Sequence, residues 1–174
     1  IGSGWSTSVP KFNILDLIDN IRGRLQGREF LWMKPYYKHF LGTVTPVLDS
    51  DKRVGTKKFG KCPLGFDTQK FLCSGVLRQD AKDKKILDVL ELPVGLWTRK
   101  YKQFLASEIE NDKTELGLKN FEEFHTRSTI HFKLFFTKSV NLKKNRTLLM
   151  KKLNLVTSIS LTNLVLFDAG GKLK

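Results

Sequence analysis

Thr129-Ile130-His131-Phe132-Lys133-Leu134-Phe135-Phe136-Thr137-Lys138 is the stretch on which the fold class turns. In an extended chain Ile130, Phe132, Leu134 and Phe136 share one face, and His131, Lys133 and Phe135 share the other. Side chains alternate across a strand, so this pattern predicts a β-strand with one face on a core. His131, between apolar neighbours, reads as a sheet-surface residue and not as a metal ligand. A helical pattern runs upstream from Leu96 to about Ile109, and a basic one runs downstream from Asn141 to Lys152. Strands and helices mix without a strict βαβ repeat. The expected class is therefore α+β (irregular α/β), a mixed sheet flanked by helices.

Working outward, Lys70–Leu77 and Lys85–Leu92 read as strands separated by a charged turn, with Pro93 ending the second. Leu118–Phe124 reads as a short helix, and Val156–Ser160 and Leu164–Phe167 as the last strands before a turn at Asp168-Ala169-Gly170-Gly171. Leu41–Val47 reads as a short strand, placed at a sheet edge because Pro46 lacks an N–H to donate. Towards the start, Asn13 caps a helix with Asp16 three residues on, and Ile14, Ile18, Ile21 and Leu25 form one apolar stripe that Gly27 terminates. Residues 1–10 are a glycine- and hydroxyl-rich loop. Asp49–Gln69, rich in glycine and lysine, is expected to be an inserted exposed loop, because structureless stretches of that length are uncommon in compact domains.

Lys and Arg number 31 against 17 Asp and Glu, a net charge of +14. That excess favours a polyanionic partner, nucleic acid first and an anionic membrane surface second. Hydrophobic residues make up 40 %, including 13 Phe, enough to build a core. No run reaches the roughly 18 apolar residues of a membrane span, and no secretory signal pattern is present. The chain starts at Ile1 and reads as part of a longer or processed polypeptide. Cys62 and Cys73 match neither a zinc set nor a disulfide framework and are expected to be reduced thiols. No phosphate-binding glycine loop and no paired carboxylates for magnesium appear, and Tyr36, Tyr37 and Tyr101 sit in packing contexts. The residues by themselves describe a basic binding module without an active site.

Several stretches in order resemble the eukaryotic-type DNA topoisomerase II (type IIA) family. Ile1-Gly2-Ser3-Gly4-Trp5-Ser6-Thr7 with Val9-Pro10-Lys11-Phe12-Asn13 resembles its IGTGWS…IPxFN segment. Tyr37-Lys38-His39-Phe40-Leu41-Gly42-Thr43-Val44 resembles YKxFxGTI, and Glu91-Leu92-Pro93-Val94-Gly95-Leu96-Trp97-Thr98 resembles ELPxRTWT. Ser158-Ile159-Ser160-Leu161-Thr162-Asn163-Leu164-Val165-Leu166-Phe167-Asp168 resembles SxISLxNMVxFD. Asn154 stands where the family commonly has Lys, Gly95 where it has Arg, and the 49–69 loop is longer than usual.

The resemblance implies a segment of the DNA-cleavage core covering the tower domain. Residues 1–28 would be the loop and helix continuing from the winged-helix region, and 29–174 the tower-like DNA-binding domain. It implies that Ile1 is the wedge inserted between base pairs of the bent gate duplex, and that Lys151, Lys152, Thr157, Ser158, Ser160 and Asn163 contact DNA. It further implies an ATP-dependent, homodimeric isomerase of the nucleus or an organelle such as the mitochondrion. Its partner would be double-stranded DNA, with no membrane. The catalytic tyrosine, the Mg2+ site and the ATPase would lie outside this stretch, which would bind no cofactor itself. The alternative is a stand-alone basic nucleic-acid-binding module, for instance of ribosomal or other RNA-binding type. A membrane-surface role for the Lys143–Lys152 helix comes third.

Overall fold

The computed structural model describes residues 7–47, 70–111, 116–140, 142–168 and 170–172. They form, in chain order, helix α1 (Ile14–Leu25), strands β1 (Thr43–Pro46), β2 (Lys70–Ser74), β3 (Val76–Gln79) and β4 (Ile86–Glu91), and helix α2 (Thr98–Glu110). Strands β5 (Leu118–Glu123) and β6 (Phe132–Phe136), helix α3 (Leu142–Lys152) and strand β7 (Val156–Ser160) follow. The strands make a three-stranded sheet, β1-β2-β7, and a four-stranded sheet, β3-β4-β6-β5. This is the expected α+β class, and β1 with Pro46 does lie at an edge. Two units emerge: one of Ile1–His39, Val44–Leu72 and Ser158–Lys174, the other of Phe40–Thr43 and Cys73–Thr157.

The second unit is organised by the alternation read at Thr129–Lys138. Its four-stranded sheet is antiparallel throughout. Leu77, Val89 and Phe132 stand opposite one another across three strands, and so do Gln79, Leu87 and Leu134. Their apolar members meet Tyr101 and Leu105 of α2 and Leu149 and Met150 of α3 in one core. Tyr101 and Phe132 meet edge to face at 5.0 Å. Burying each such side chain contributes roughly 1.5–3 kcal/mol relative to exposure, so this sheet carries most of the unit's stability. On the other face Arg78, Asp88, Lys133 and Glu122 form a row across the four strands. This is the half-buried face that His131 and Lys133 imply.

Three expectations are corrected. Leu118–Phe124 is a strand, not a helix. A bulge between Leu118 and Asn120 adds a residue to β5. It brings Leu118 and Phe121 onto the core face although they are three apart, which in sequence imitates a helical spacing. The single strand expected over Lys70–Leu77 is broken at Gly75, where a Cβ would lie 2.3 Å from the Glu91 carbonyl oxygen. No side chain fits that approach, and the chain turns from β2 into β3. Leu164–Phe167 forms no continuous strand, only an isolated bridge at Phe167. The Val165 amide donates to the Thr7 hydroxyl instead of to a neighbouring strand.

In the first unit, Asn13 Oδ1 accepts from the Leu15 amide, and its amide group donates to Asp16 at 3.3 Å, as the capping pattern requires. Gly27 follows the helix at φ 76°. The apolar stripe faces solvent: Ile14 is 69 % exposed, Ile21 59 % and Leu25 84 %. The polar Asn20 is buried instead. It donates to the Asp16 carbonyl and accepts from the Leu31 amide. Trp32 stacks on the fully buried Phe71 at 5.9 Å, a small apolar focus for this unit. The expected 49–69 loop and Cys62 lie outside the described residues.

Candidate nucleic-acid interface

The stretch from α3 into β7 carries most of the site residues expected from sequence. The end of α3 is a tight αL-type cap. Asn154 has φ 53°, its amide donates to the Lys151 carbonyl, and the Leu155 amide donates to the Met150 carbonyl at 2.8 Å. Leu155 and Met150, the pair that accompanies this cap, are both buried. Asparagine tolerates the left-handed backbone better than lysine, which gives a physical reason for Asn154 at this position. Lys151 is exposed and Lys152 half-buried, in the last turn of α3. There they complement the negative end of the helix dipole, a structural use compatible with a second one in binding phosphate.

Strand β7 divides the hydroxyl residues. Thr157 is half-buried, and its hydroxyl donates to the Val94 carbonyl at 3.2 Å. It also lies against Cys73, whose thiol is pushed up chiefly by burial, with the Val94 amide and Thr157 pulling the other way. Thr157 is therefore committed inward. Ser158 and Ser160 are exposed and share the other side of the strand. The Ser160 hydroxyl lies 2.7 Å from that of Thr162 and accepts from the Thr162 amide, forming a small polar turn over the buried Leu161.

Asn163 follows this turn, and its carbonyl oxygen is a junction. It accepts from the Ser8 amide at 2.8 Å and from the Thr7 hydroxyl at 3.2 Å. Thr7 in turn accepts from the Val165 amide at 3.2 Å. Sequence reasoning missed Thr7 and Thr162. Both fell inside hydroxyl-rich stretches, but a pairing across most of the chain leaves no local signal. Ile1 lies outside the described residues.

The histidines, scattered in sequence, are partly gathered by the sheet. His131 Nε2 lies 2.9 Å from Asp88 Oδ1, and the His131 amide donates to His125 Nδ1 at 3.0 Å. His125 faces Glu123 at 3.6 Å, and Glu123 meets Lys102 at 2.6 Å. Among the described residues no three His, Cys, Asp or Glu side chains converge as a metal site, and no helix is long and apolar enough to cross a membrane. Tyr101 is fully buried and burial raises its phenol well above the ordinary value. It is a packing residue and not an exposed nucleophile.

Residues 1–174 match the family model of DNA gyrase/topoisomerase IV, in its A-type polypeptide. DNA topoisomerase 2 of Candida albicans is 36% identical over 174 residues, covering 100% of this chain and 10% of that protein. DNA topoisomerase 2-alpha of Homo sapiens is 30% identical over 176 residues, again covering 100% of this chain and 10% of its own length. The chain thus spans about a tenth of the length of these relatives. Among solved structures, the crystal structure of the Plasmodium falciparum topoisomerase II DNA-binding, cleavage and re-ligation domain superposes with a TM-score of 0.73 at 27% identity. That match covers 100% of this chain and 21% of the other.

Proposed function

This chain belongs to the DNA gyrase/topoisomerase IV family, and on that premise we propose that it is the part of a type IIA topoisomerase that holds and bends the gate DNA duplex. The observation that carries the reading is the match of all its residues, in sequence and in fold, to a structure named for DNA binding, cleavage and re-ligation. The net charge of +14 agrees with a phosphate-rich partner.

In this reading Ile1 is the wedge. A β-branched apolar side chain on a glycine-containing loop can enter a base step and unstack it, kinking the duplex. Bending a site costs on the order of several kcal/mol, which phosphate contacts along the curve must offset. Lys151 and Lys152 supply charge for those contacts, and Ser158, Ser160 and the Asn163 region supply short neutral donors. Thr157, turned toward Val94 and Cys73, supports the strand instead of reaching the backbone of the DNA.

The intact polypeptide would be a homodimeric, nuclear, ATP-dependent enzyme, with each protomer contributing one wedge. The described residues do not fit a magnesium site. Mg2+, ATP and the nucleophilic tyrosine belong, in this proposal, to other parts of the polypeptide. The test is Ile1→Ala in the full-length polypeptide, with a duplex labelled at both ends for fluorescence energy transfer. Bending and cleavage should fall while the protein's melting temperature stays within a degree or so of the parent. An end-to-end distance identical to that of the parent would refute the wedge.

A further inference from the structure

We propose that Thr7 is a positioning residue that ties the segment bearing the wedge to the polar strand β7, an inference that rests on the DNA-bending reading above. Thr7 is exposed, yet its hydroxyl is used in both senses: it donates to the Asn163 carbonyl and accepts from the Val165 amide, each at 3.2 Å. The adjacent Ser8 amide donates to the same Asn163 carbonyl at 2.8 Å. The chain just after the expected wedge is thus fastened to the turn that follows Ser158 and Ser160. An extended chain spans at most about 3.3–3.6 Å per residue, so Ile1 must lie within roughly 20 Å of this fastening. A wedge works only if the duplex cannot push it aside. Energy spent on unstacking a base step is recovered only when the wedge is held against the same body that grips the phosphates. Thr7 makes that connection with a group no apolar isostere can replace, since valine keeps the shape and loses both hydrogen bonds.

Compare Thr7→Val, Thr7→Ala and Thr7→Ser in the full-length polypeptide, with the doubly end-labelled duplex as probe. The two hydroxyl-free variants should lower the bent-to-straight ratio of bound DNA roughly fivefold, about the size of one net hydrogen bond. DNA affinity at fixed salt should change less than about twofold. Thr7→Ser should restore the parent ratio. On an Ile1→Ala background, Thr7→Val should have no further effect on bending, because the residue acts through the wedge. Parent-like bending in Thr7→Val and Thr7→Ala would overturn the proposal. So would a Thr7→Ser variant as impaired as Thr7→Val, or an undiminished Thr7→Val effect on the Ile1→Ala background. If Ile1→Ala itself leaves bending unchanged, the wedge reading fails first, and that outcome is separable from the others.

Discussion

Each of the two units of the chain is held together by different physics. The second is a four-stranded antiparallel sheet whose core face is filled by Leu87, Val89, Phe132 and Leu134 and closed by Tyr101 and Leu105. The first buries little apolar surface on its one helix, whose isoleucines and leucines face outward. It is stitched instead by polar bonds: Asn20 to the Leu31 amide, Tyr36 to the Lys11 carbonyl, Val47 to the Lys70 carbonyl, and Thr7 and Ser8 to Asn163. Apolar burial is non-directional and cooperative, while hydrogen bonds are directional and individually worth only about 0.5–1.5 kcal/mol. A framework made by the former tolerates load. One made by the latter sets positions, which suits a region proposed to aim a wedge and a row of hydroxyls.

The largest effect expected from this contrast is at Phe132, fully buried and packed on Tyr101 and His125. Phe132→Ala should destabilise by about 3–5 kcal/mol. Ile21→Ala, on the 59 % exposed stripe of α1, should stay within about 0.5 kcal/mol. Urea denaturation of the 174-residue chain measures both. A cost above about 2 kcal/mol at Ile21 would erase the distinction between the units. Repeating the pair in the full-length polypeptide sharpens it, since a larger Ile21 penalty there would report that the α1 stripe is covered by another part of the protein.

That contrast also governs what the sequence made legible. Where one period dominates, the chain announces itself. The alternation around Phe132 fixed a strand, Asn13 with Asp16 fixed a helix start, and Val156–Ser160 formed at the expected residues. Local periodicity failed where a neighbour decided the outcome. The β5 bulge converted a strand into an apparent helical spacing, and Gly75 broke an apparently continuous strand because the Glu91 carbonyl approaches its Cα. The α1 stripe was visible, but its exposure was not, because amphipathicity says that a face is apolar and not what meets it. Of the candidate site, the family motifs supplied Lys151, Lys152, Ser158, Ser160 and Asn163. The inward turn of Thr157 and the use of Thr7 are tertiary facts without a local signature.

A smaller effect probes the quality of the apolar core itself. The Tyr101 hydroxyl is buried and has no hydrogen-bond partner among the described residues. An unsatisfied buried hydroxyl forfeits its hydration for nothing, so Tyr101→Phe should be neutral or stabilise by up to about 1 kcal/mol. The phenyl ring keeps its edge-to-face contact with Phe132, so packing is unchanged. Thermal melting of the two proteins decides the point. A loss greater than about 1 kcal/mol would mean that the hydroxyl is satisfied and that the second unit, too, depends on a polar stitch.

The smallest effect separates the units by pH. In the turn between β3 and β4, Asp80 Oδ1 accepts from the amides of Lys82 at 2.8 Å and Asp83 at 3.2 Å, and these bonds hold its carboxyl below the usual range. A carboxylate whose folded pKa is depressed contributes stability above its unfolded pKa, near about 3.9, and loses it as pH falls through the folded value. The stitches of the first unit through Asn163, Lys11 and Lys70 use carbonyl acceptors that do not titrate. Acidification from about pH 5 to pH 2 should therefore move the amide resonances of Lys82 and Asp83 with a midpoint below that of a free aspartate. The Ser8, Tyr36 and Val47 amides should hold their positions over the same range. Asp80→Asn, which keeps an acceptor oxygen, should abolish the titration at Lys82. Equal movement of the Ser8 and Lys82 amides would show that the first unit rests on ionised carboxylates after all, and the division between an apolar framework and a neutral polar one would fail.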